Sequence, residues 1–320
     1  MKKRRRLAET LWNLWCIGTI VGIWPRFIEP KLIRRSKLTL PIKDLPKNLE
    51  GLRIVHFSDL HLSPQVSDRF LDRLTKKINA LSPDIVLFTG DFIDYSTLND
   101  PQRLQKVLSS IEARLGCYAS FGNHDYARYV SIDSSGNYDV KSSKRSGIIG
   151  GFNRLLTKTT LSGQATDAAK AVPFHEELLS LLKKTPFTLL HNETTQIDLN
   201  GDRLNLCGLG DYMLGRCLPQ EAFKTYDKNA PGIILSHNPD TLQTLKDYPG
   251  NIILCGHTHG GAVMLPGIRR RIILLENPQF VRGKFTIGDK TAYVNRGIGS
   301  TIPFRWFASP EILLLTLESS

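Results

Sequence analysis

The apolar positions of the chain follow two regimes. From Leu11 to Pro25 a 15-residue run carries no charge and contains Trp12, Trp15 and Trp24. Beyond residue 50, short apolar stretches alternate with amphipathic ones. RIVHFS at 53–58 predicts a strand, 68–81 behind a capping Ser67 a helix, 85–89 a strand, 101–114 a helix and 118–121 a further strand. A β-α-β-α-β order needs crossover connections and argues for an α/β sheet. The second half predicts strands near 187–190, 195–199, 204–209, 233–236, 252–255, 272–275, 292–294 and 312–317, a density that suggests two stacked sheets with helices outside. Between the halves, residues 126–173 are rich in Ser, Gly, Thr and Lys and lack clear periodicity. A segment of that length reads as a functional lid or as a disordered surface loop.

Charge changes the picture because it is local. The net +12 resides in residues 1–40, with ten basic and two acidic side chains, and in 126–173, with seven and three. The rest of the chain is neutral, which counts against a nucleic-acid groove built on clustered Lys and Arg. Basic residues flank the apolar run at 2–6 and again at Arg26, Lys31, Arg34, Arg35 and Lys37. That arrangement fits an anchor among anionic headgroups with tryptophans at the boundary. A spanning helix wants ~20 apolar residues, so spanning and lying in the interface both stay open. No small-x-small cleavage site follows, which favours a retained anchor over an exported precursor. The expected organisation is therefore a basic membrane anchor at 1–40 and, past the prolines Pro41 and Pro46, one catalytic domain at 41–320 interrupted by the basic segment 126–173. The five cysteines form no CxxC pair and read as small buried residues in a reducing compartment, not as disulfide or zinc-ribbon ligands.

Candidate chemistry lies in the histidines. Five of the eight (His61, His124, His237, His257 and His259) sit just past the ends of predicted strands, in loops that also carry Asp, Asn and Gly. Ligands of open α/β sheets bind at the carboxyl ends of strands, so these loops converge. Imidazole with carboxylate and no thiolate selects borderline divalent metals over a structural zinc site.

In chain order the blocks are D-x-H at Asp59 and His61, G-D-x-x-D at Gly90, Asp91 and Asp94, G-N-H-D at 122–125, a single His237, and G-H-x-H at 256–259. This five-block series resembles the signature of the calcineurin-like metallophosphoesterases over roughly residues 50–320. The resemblance implies a four-layer α/β/β/α sandwich of two mixed sheets and two divalent ions, manganese first, with iron or zinc as alternatives. It implies Asp59, His61, Asp91 and His259 at one ion and Asp91, Asn123, His237 and His257 at the other, Asp91 bridging. Two ions with two carboxylates leave about two positive charges, which suits an anionic phosphate ester. His124 is then the residue facing substrate, oriented by Asp125, and Asp94 is either a supporting carboxylate or a surface one. Gly90, Gly122 and Gly256 are expected to permit sharp turns.

The anchor, the stretch GLRIVHFSDLHL and the tail PFRWFASPEILLLTL further resemble the membrane-associated members of the YkuE/YaeI type. That subgroup implies a lipid-linked pyrophosphate substrate, UDP-2,3-diacylglucosamine, cleaved to lipid X and UMP in lipid A synthesis. Because the sugar nucleotide is made inside the cell, that substrate favours an enzyme on the cytoplasmic face of the inner membrane, whereas an exported enzyme of the YkuE type would need the run from Leu11 to Pro25 to span; no nucleic acid, no protein partner and no organic cofactor are expected. A broad membrane-tethered phosphodiesterase or phosphatase, and a non-catalytic scaffold of the same fold, are the competing readings. His56 is expected to be a core histidine, Arg269, Arg270 and Arg271 a solvated turn, and the cluster from Phe304 to Phe307 core rather than membrane contact.

Overall fold

The computed structural model describes residues 2–141, 160–262 and 275–320. Helix α1 (Lys2–Gly18) continues into wider helical turns at Thr19–Ile28, where Pro25 supplies no N–H to the ladder. The body comprises β1 (Arg34–Ile42), β2 (Arg53–Phe57), α2 (Asp68–Asn79), β3 (Ile85–Thr89), α3 (Pro101–Ser109) and β4 (Cys117–Ser120). A small hairpin, β5 (Val130–Ile132) and β6 (Tyr138–Val140), precedes α4 (Asp167–Lys170), α5 (Glu176–Leu182) and β7 (Phe187–Leu189). The second half holds β8 (Glu193–Leu199), β9 (Asp202–Gly208), α6 (Pro219–Ala222), β10 (Gly232–Leu235), α7 (Leu242–Leu245), β11 (Ile252–Cys255), β12 (Gly283–Ile287), β13 (Lys290–Val294) and β14 (Glu311–Ser319).

Two six-stranded mixed sheets result, ordered β1-β14-β2-β3-β4-β7 and β12-β13-β11-β10-β9-β8. Period-2 alternation builds the layers. In β2, Ile54 points with Ile85, Leu87 and Leu313 into a core shared with Leu206, Ile233 and Leu254 of the other sheet. The intervening Val55 and Phe57 point the opposite way, onto Phe70, Leu74 and Ile78 of α2 and Leu104 and Leu108 of α3. Ile234, Ile253 and Ala292 pack on the outer face of the second sheet with Ala222, Leu242 and Leu245. This is the expected α/β/β/α sandwich.

Several boundaries differ from the sequence expectation. Residues 34–40, expected within the anchor, belong to β1, whose parallel pairing with β14 runs from Arg34 beside Glu311 to Ile42 beside Ser319. Helix α3 stops at Ser109, and Ile111 turns inward to a buried position. The described ends of the 126–173 segment are built into the fold, not laid over it: Tyr126, Val130, Ile132, Tyr138, Ala169 and Val172 join the core beneath the first sheet. Residues 142–159, the strand expected near 272–275 apart from Leu275, and Arg269, Arg270 and Arg271 lie outside the described residues.

Candidate metal centre

The two sheets place their strand ends at one edge. Asp59 and His61 follow β2, Asp91 follows β3, Asn123 and His124 follow β4, His237 follows β10, and His257 and His259 follow β11. Backbone hydrogen bonds tie these loops together: Asp59 N donates to Gly90 O (2.9 Å), His61 N to Asp91 O (3.0 Å) and Gly256 N to His237 O (2.9 Å). Asp59 also accepts from His257 N at 3.0 and 3.1 Å, which joins one sheet's site loop to the other's.

Three groups of potential ligand atoms emerge among the described residues, each within 4.8 Å: Asp59, His61 and His259; Asp91, His237 and His257; and His61, Asp94 and His124, of which the first two match the ligand sets expected from the sequence. Asp91 Oδ2 lies 3.4 Å from His61 Nε2 and 3.2 Å from His237 Nε2, so one carboxylate oxygen reaches both of the first two groups. Burial works against a charged Asp91, yet the surrounding His237, His124 and His61 hold its carboxyl well below the usual range, as a ligand shared between cations requires. The outer ring nitrogens of His237 and His259 are hydrogen-bonded, and that of His61 approaches a carboxylate without a hydrogen bond. His237 Nδ1 meets Thr89 O at 2.7 Å, His259 Nδ1 meets Gly299 O at 3.1 Å, and His61 Nδ1 faces Asp94 Oδ1 at 3.6 Å. An N–H held outward leaves the Nε2 lone pair aimed into the cluster. His257 presents Nδ1 instead, 3.3 Å from His237 Nε2. Asn123 donates from Nδ2 to Val130 O (2.9 Å), while its buried Oδ1 has no partner. Nitrogen and oxygen donors crowded to this degree, together with an orphaned buried acceptor, fit a pair of divalent cations.

His124 and Asp125 are arranged differently from the expectation. Asp125 does not touch the His124 ring. Its carboxylate accepts from the backbone N–H groups of Asp91 (2.6 Å), Phe92 (2.7 Å), Ile93 (3.3 Å) and Gly122 (3.0 Å), holding two ligand loops in shape. The orientation of His124 comes instead from Tyr95 N, which donates to Nδ1 at 2.8 Å, with Asp94 Oδ1 3.8 Å away. Burial pushes His124 down to about 4. A neutral ring that accepts at Nδ1 carries its proton on Nε2, where it can be donated to a ligand. Asp94 itself is 5% exposed and stands between His61 and His124, so it is not a surface carboxylate.

The glycines act mainly through close approach. Gly90 does require a left-handed backbone (φ +80°), but Gly122 and Gly256 do not. A Cβ on Gly122 would stand 2.3 Å from Asp91 Oδ1 and 2.7 Å from His237, and one on Gly256 would stand 2.7 Å from Asp59 Oδ2.

Other contributors escaped the sequence reading. Tyr129 packs on the His124 ring at 4.4 Å and Tyr95 at 5.3 Å between centroids. Gly297 and Gly299, after β13, bring the backbone against Asp59 and Leu60. Arg305 is fully buried; it donates to Arg296 O (2.7 Å), Ala308 O (2.8 Å) and Gly299 O, and reaches His259 Nδ1 at 3.4 Å. The segment around it is only partly core, because Phe307 is 61% exposed. A pair of glycines after a strand was the one signal in the sequence that could have marked this loop. His56 is buried and meets Thr89 Oγ1 at 2.9 Å, as a core histidine would.

Comparison with known proteins agrees with this geometry. The sequence model described as calcineurin-like phosphoesterase matches residues 52–261. The chain is 37% identical over 321 residues to the UDP-2,3-diacylglucosamine pyrophosphatase LpxG of Chlamydia trachomatis, covering 97% of this chain and 96% of that protein. It is 39% identical to the protein of the same name from Chlamydia muridarum, over 92% of each. It is also 29% identical, over the full length of both, to the uncharacterized metallophosphoesterase YkuE of Bacillus subtilis.

Proposed function

The chain belongs to the calcineurin-like phosphoesterase family, and within that reaction class we propose that it hydrolyses UDP-2,3-diacylglucosamine to UMP and 2,3-diacylglucosamine 1-phosphate at a membrane surface. That it is a metal-dependent phosphoester hydrolase follows from the family and from the two relatives named for such hydrolysis. The observation that carries the finer reading is the similarity to those two relatives over 97% and 92% of this chain.

Asp59, His61, Asp91 and His259 would hold one ion, and Asp91, Asn123, His237 and His257 the other. Divalent ions there, manganese in our reading, would supply an activated water and neutralise phosphate charge. The protein's own part is positional. Asp125 fixes the Asp91 and Gly122 backbones, Asp94 orients His61, and the Nε2–H of His124 donates to a phosphoryl oxygen as charge builds on it. Water adds to the α-phosphorus and the acylated sugar 1-phosphate departs. The departing oxygen belongs to a phosphate, a weak base, so His124 is needed more for charge stabilisation than for a full proton transfer.

The membrane part of the reading rests on residues 11–28. Eleven large apolar side chains there, Trp12, Trp15, Trp24 and Phe27 among them, are exposed, far more than a soluble surface normally leaves uncovered in one place. Among the described residues no helix is long and apolar enough to cross a membrane. With basic side chains on both flanks of this exposed apolar stretch, we assign it to an anionic leaflet, the cytoplasmic one where sugar nucleotides are made. The test is to compare kcat/KM for UDP-2,3-diacylglucosamine and for bis(p-nitrophenyl) phosphate. A strong preference for the lipid supports the proposal, and equal or poorer use of the lipid leaves a broad phosphodiesterase.

A further inference from the structure

A cavity of about 390 Å³ opens beside the candidate metal centre, between the base of the N-terminal helix and the loop preceding β14. Three parts of the chain supply its apolar lining, Phe27 and Pro30, Val66 and Phe70, and Ile298 and Pro303, beside polar side chains and the buried Arg305. The inner end adjoins the site, because the lining includes Gly299, whose carbonyl meets His259 Nδ1, and Ser63, two residues beyond His61. The outer end carries Arg26 and Lys31, and none of the described lining residues is acidic. Phe27 at 55%, Ile302 at 52% and Phe307 at 61% exposure stand around this region as uncovered apolar groups.

The walls are fastened together. Glu29 is buried, and its carboxylate accepts from Trp24 Nε1, Phe307 N and Ser309 Oγ, each at 3.0 Å. Arg305 N donates to Pro25 O at 2.8 Å, while the Arg305 guanidinium reaches the Gly299 carbonyl and the His259 ring. The seat of the apolar helix and the backing of one candidate metal ligand are thus a single unit, with the cavity between them.

A second, more polar cavity of about 610 Å³ lies on the His124 side, lined by Tyr95, Tyr129, Arg128 and Lys141 and also by the Asp94 carboxylate. Ser63 and Gln65 line both cavities. A substrate with one apolar end and one polar, anionic end therefore meets two unlike cavities on either side of that shared wall.

We propose that the cavity under the N-terminal helix receives an acyl chain of the substrate, admitted from the bilayer and led toward the metal centre, while Arg26 and Lys31 stay at headgroup level. The inference rests on the lipid-linked pyrophosphate reading and deepens it by naming where the lipid end is held. Its volume falls within the range of ordinary ligand sites, and its apolar side chains set beside Arg26, Lys31 and Arg305 match an acyl chain next to phosphate.

Val66, half-buried on one wall and outside both sheets, is the position to change. In the full-length enzyme, Val66→Trp fills the cavity, and the ratio of kcat/KM for UDP-2,3-diacylglucosamine to that for bis(p-nitrophenyl) phosphate should fall by about tenfold or more. Turnover of bis(p-nitrophenyl) phosphate by the same variant reports whether it has folded, and Val66→Ala, which shortens the side chain without filling the space, should lower the ratio by less than Val66→Trp does, which separates blockage from misfolding. An unchanged ratio in Val66→Trp overturns the proposal. A diacylglucosamine 1-phosphate probe with a diazirine in one acyl chain gives a readout independent of turnover. Labelling of Val66, Phe70 or Ile298 supports the cavity, and labelling confined to other segments overturns it. Should wild type fail to hydrolyse UDP-2,3-diacylglucosamine, the substrate reading falls, and the labelling pattern still decides where an acyl chain is held.

Discussion

Five of the seven residues proposed as metal ligands, Asp59, His61, Asp91, His257 and His259, adopt left-handed backbone conformations with φ between 43° and 69°. For residues with a Cβ this costs of order 1–3 kcal/mol each and persists only where neighbours enforce it. Here the enforcement is visible in the N–H groups that Asp125 and Asp59 collect from adjacent loops. The strain buys convergence, since each kinked residue turns its side chain back toward the strand ends. Asp94 and His124 then divide into separable roles. Asp94→Ala removes the carboxylate behind His61 and should weaken metal affinity ~10–100-fold; titration of the apo-protein with Mn²⁺ checks this, and an unaltered affinity would remove Asp94 from the centre. His124→Ala should bind metal as wild type does yet turn over ~10²–10³ times more slowly, the loss expected for one donor to the developing charge. Undiminished turnover in that variant would exclude His124 from the reaction.

At the scale of elements, the site is a property of strand ends. β2, β3, β4, β10 and β11 all deliver their loops to one edge, and small residues let the loops close on one another. Gly122→Ala is the sharpest probe, because its methyl would collide with both Asp91 and His237. It should abolish metal binding and hydrolysis while far-UV circular dichroism stays near wild type, whereas a fully active variant would contradict the close approach. The ligand blocks were readable in the sequence because each polar motif follows a short apolar run whose period marks a strand. β1 was not, since its Lys37, Leu38, Thr39 and Leu40 alternation sits among basic residues that resemble headgroup contacts. The ends of the 126–173 segment were not either: Val130, Ile132 and Tyr138 are buried by a hairpin too short to show a period. The orienting partner of His124 is a backbone N–H, which no side-chain pattern encodes, so adjacency in G-N-H-D pointed to Asp125 instead.

For the whole molecule, the two sheets form a rigid platform whose loop edge lies next to an uncovered apolar helix, and Glu29 with Arg305 fastens one to the other. The position of that fastening changes how an anchor truncation must be cut. Removing residues 1–40 would take Glu29 and most of β1 with it, whereas removing 2–22 spares both. The shorter truncation should keep the fold and lose sedimentation with anionic vesicles; retained binding would move the membrane contact to Ile302 and Phe307. The central claim, hydrolysis of a lipid-linked pyrophosphate at its nucleotide phosphorus, is tested most directly by mass spectrometry of the products formed from UDP-2,3-diacylglucosamine by Mn²⁺-loaded enzyme in H₂¹⁸O. The account predicts UMP bearing one ¹⁸O and unlabelled diacylglucosamine 1-phosphate. Label in the lipid phosphate, or no products at all, would contradict it.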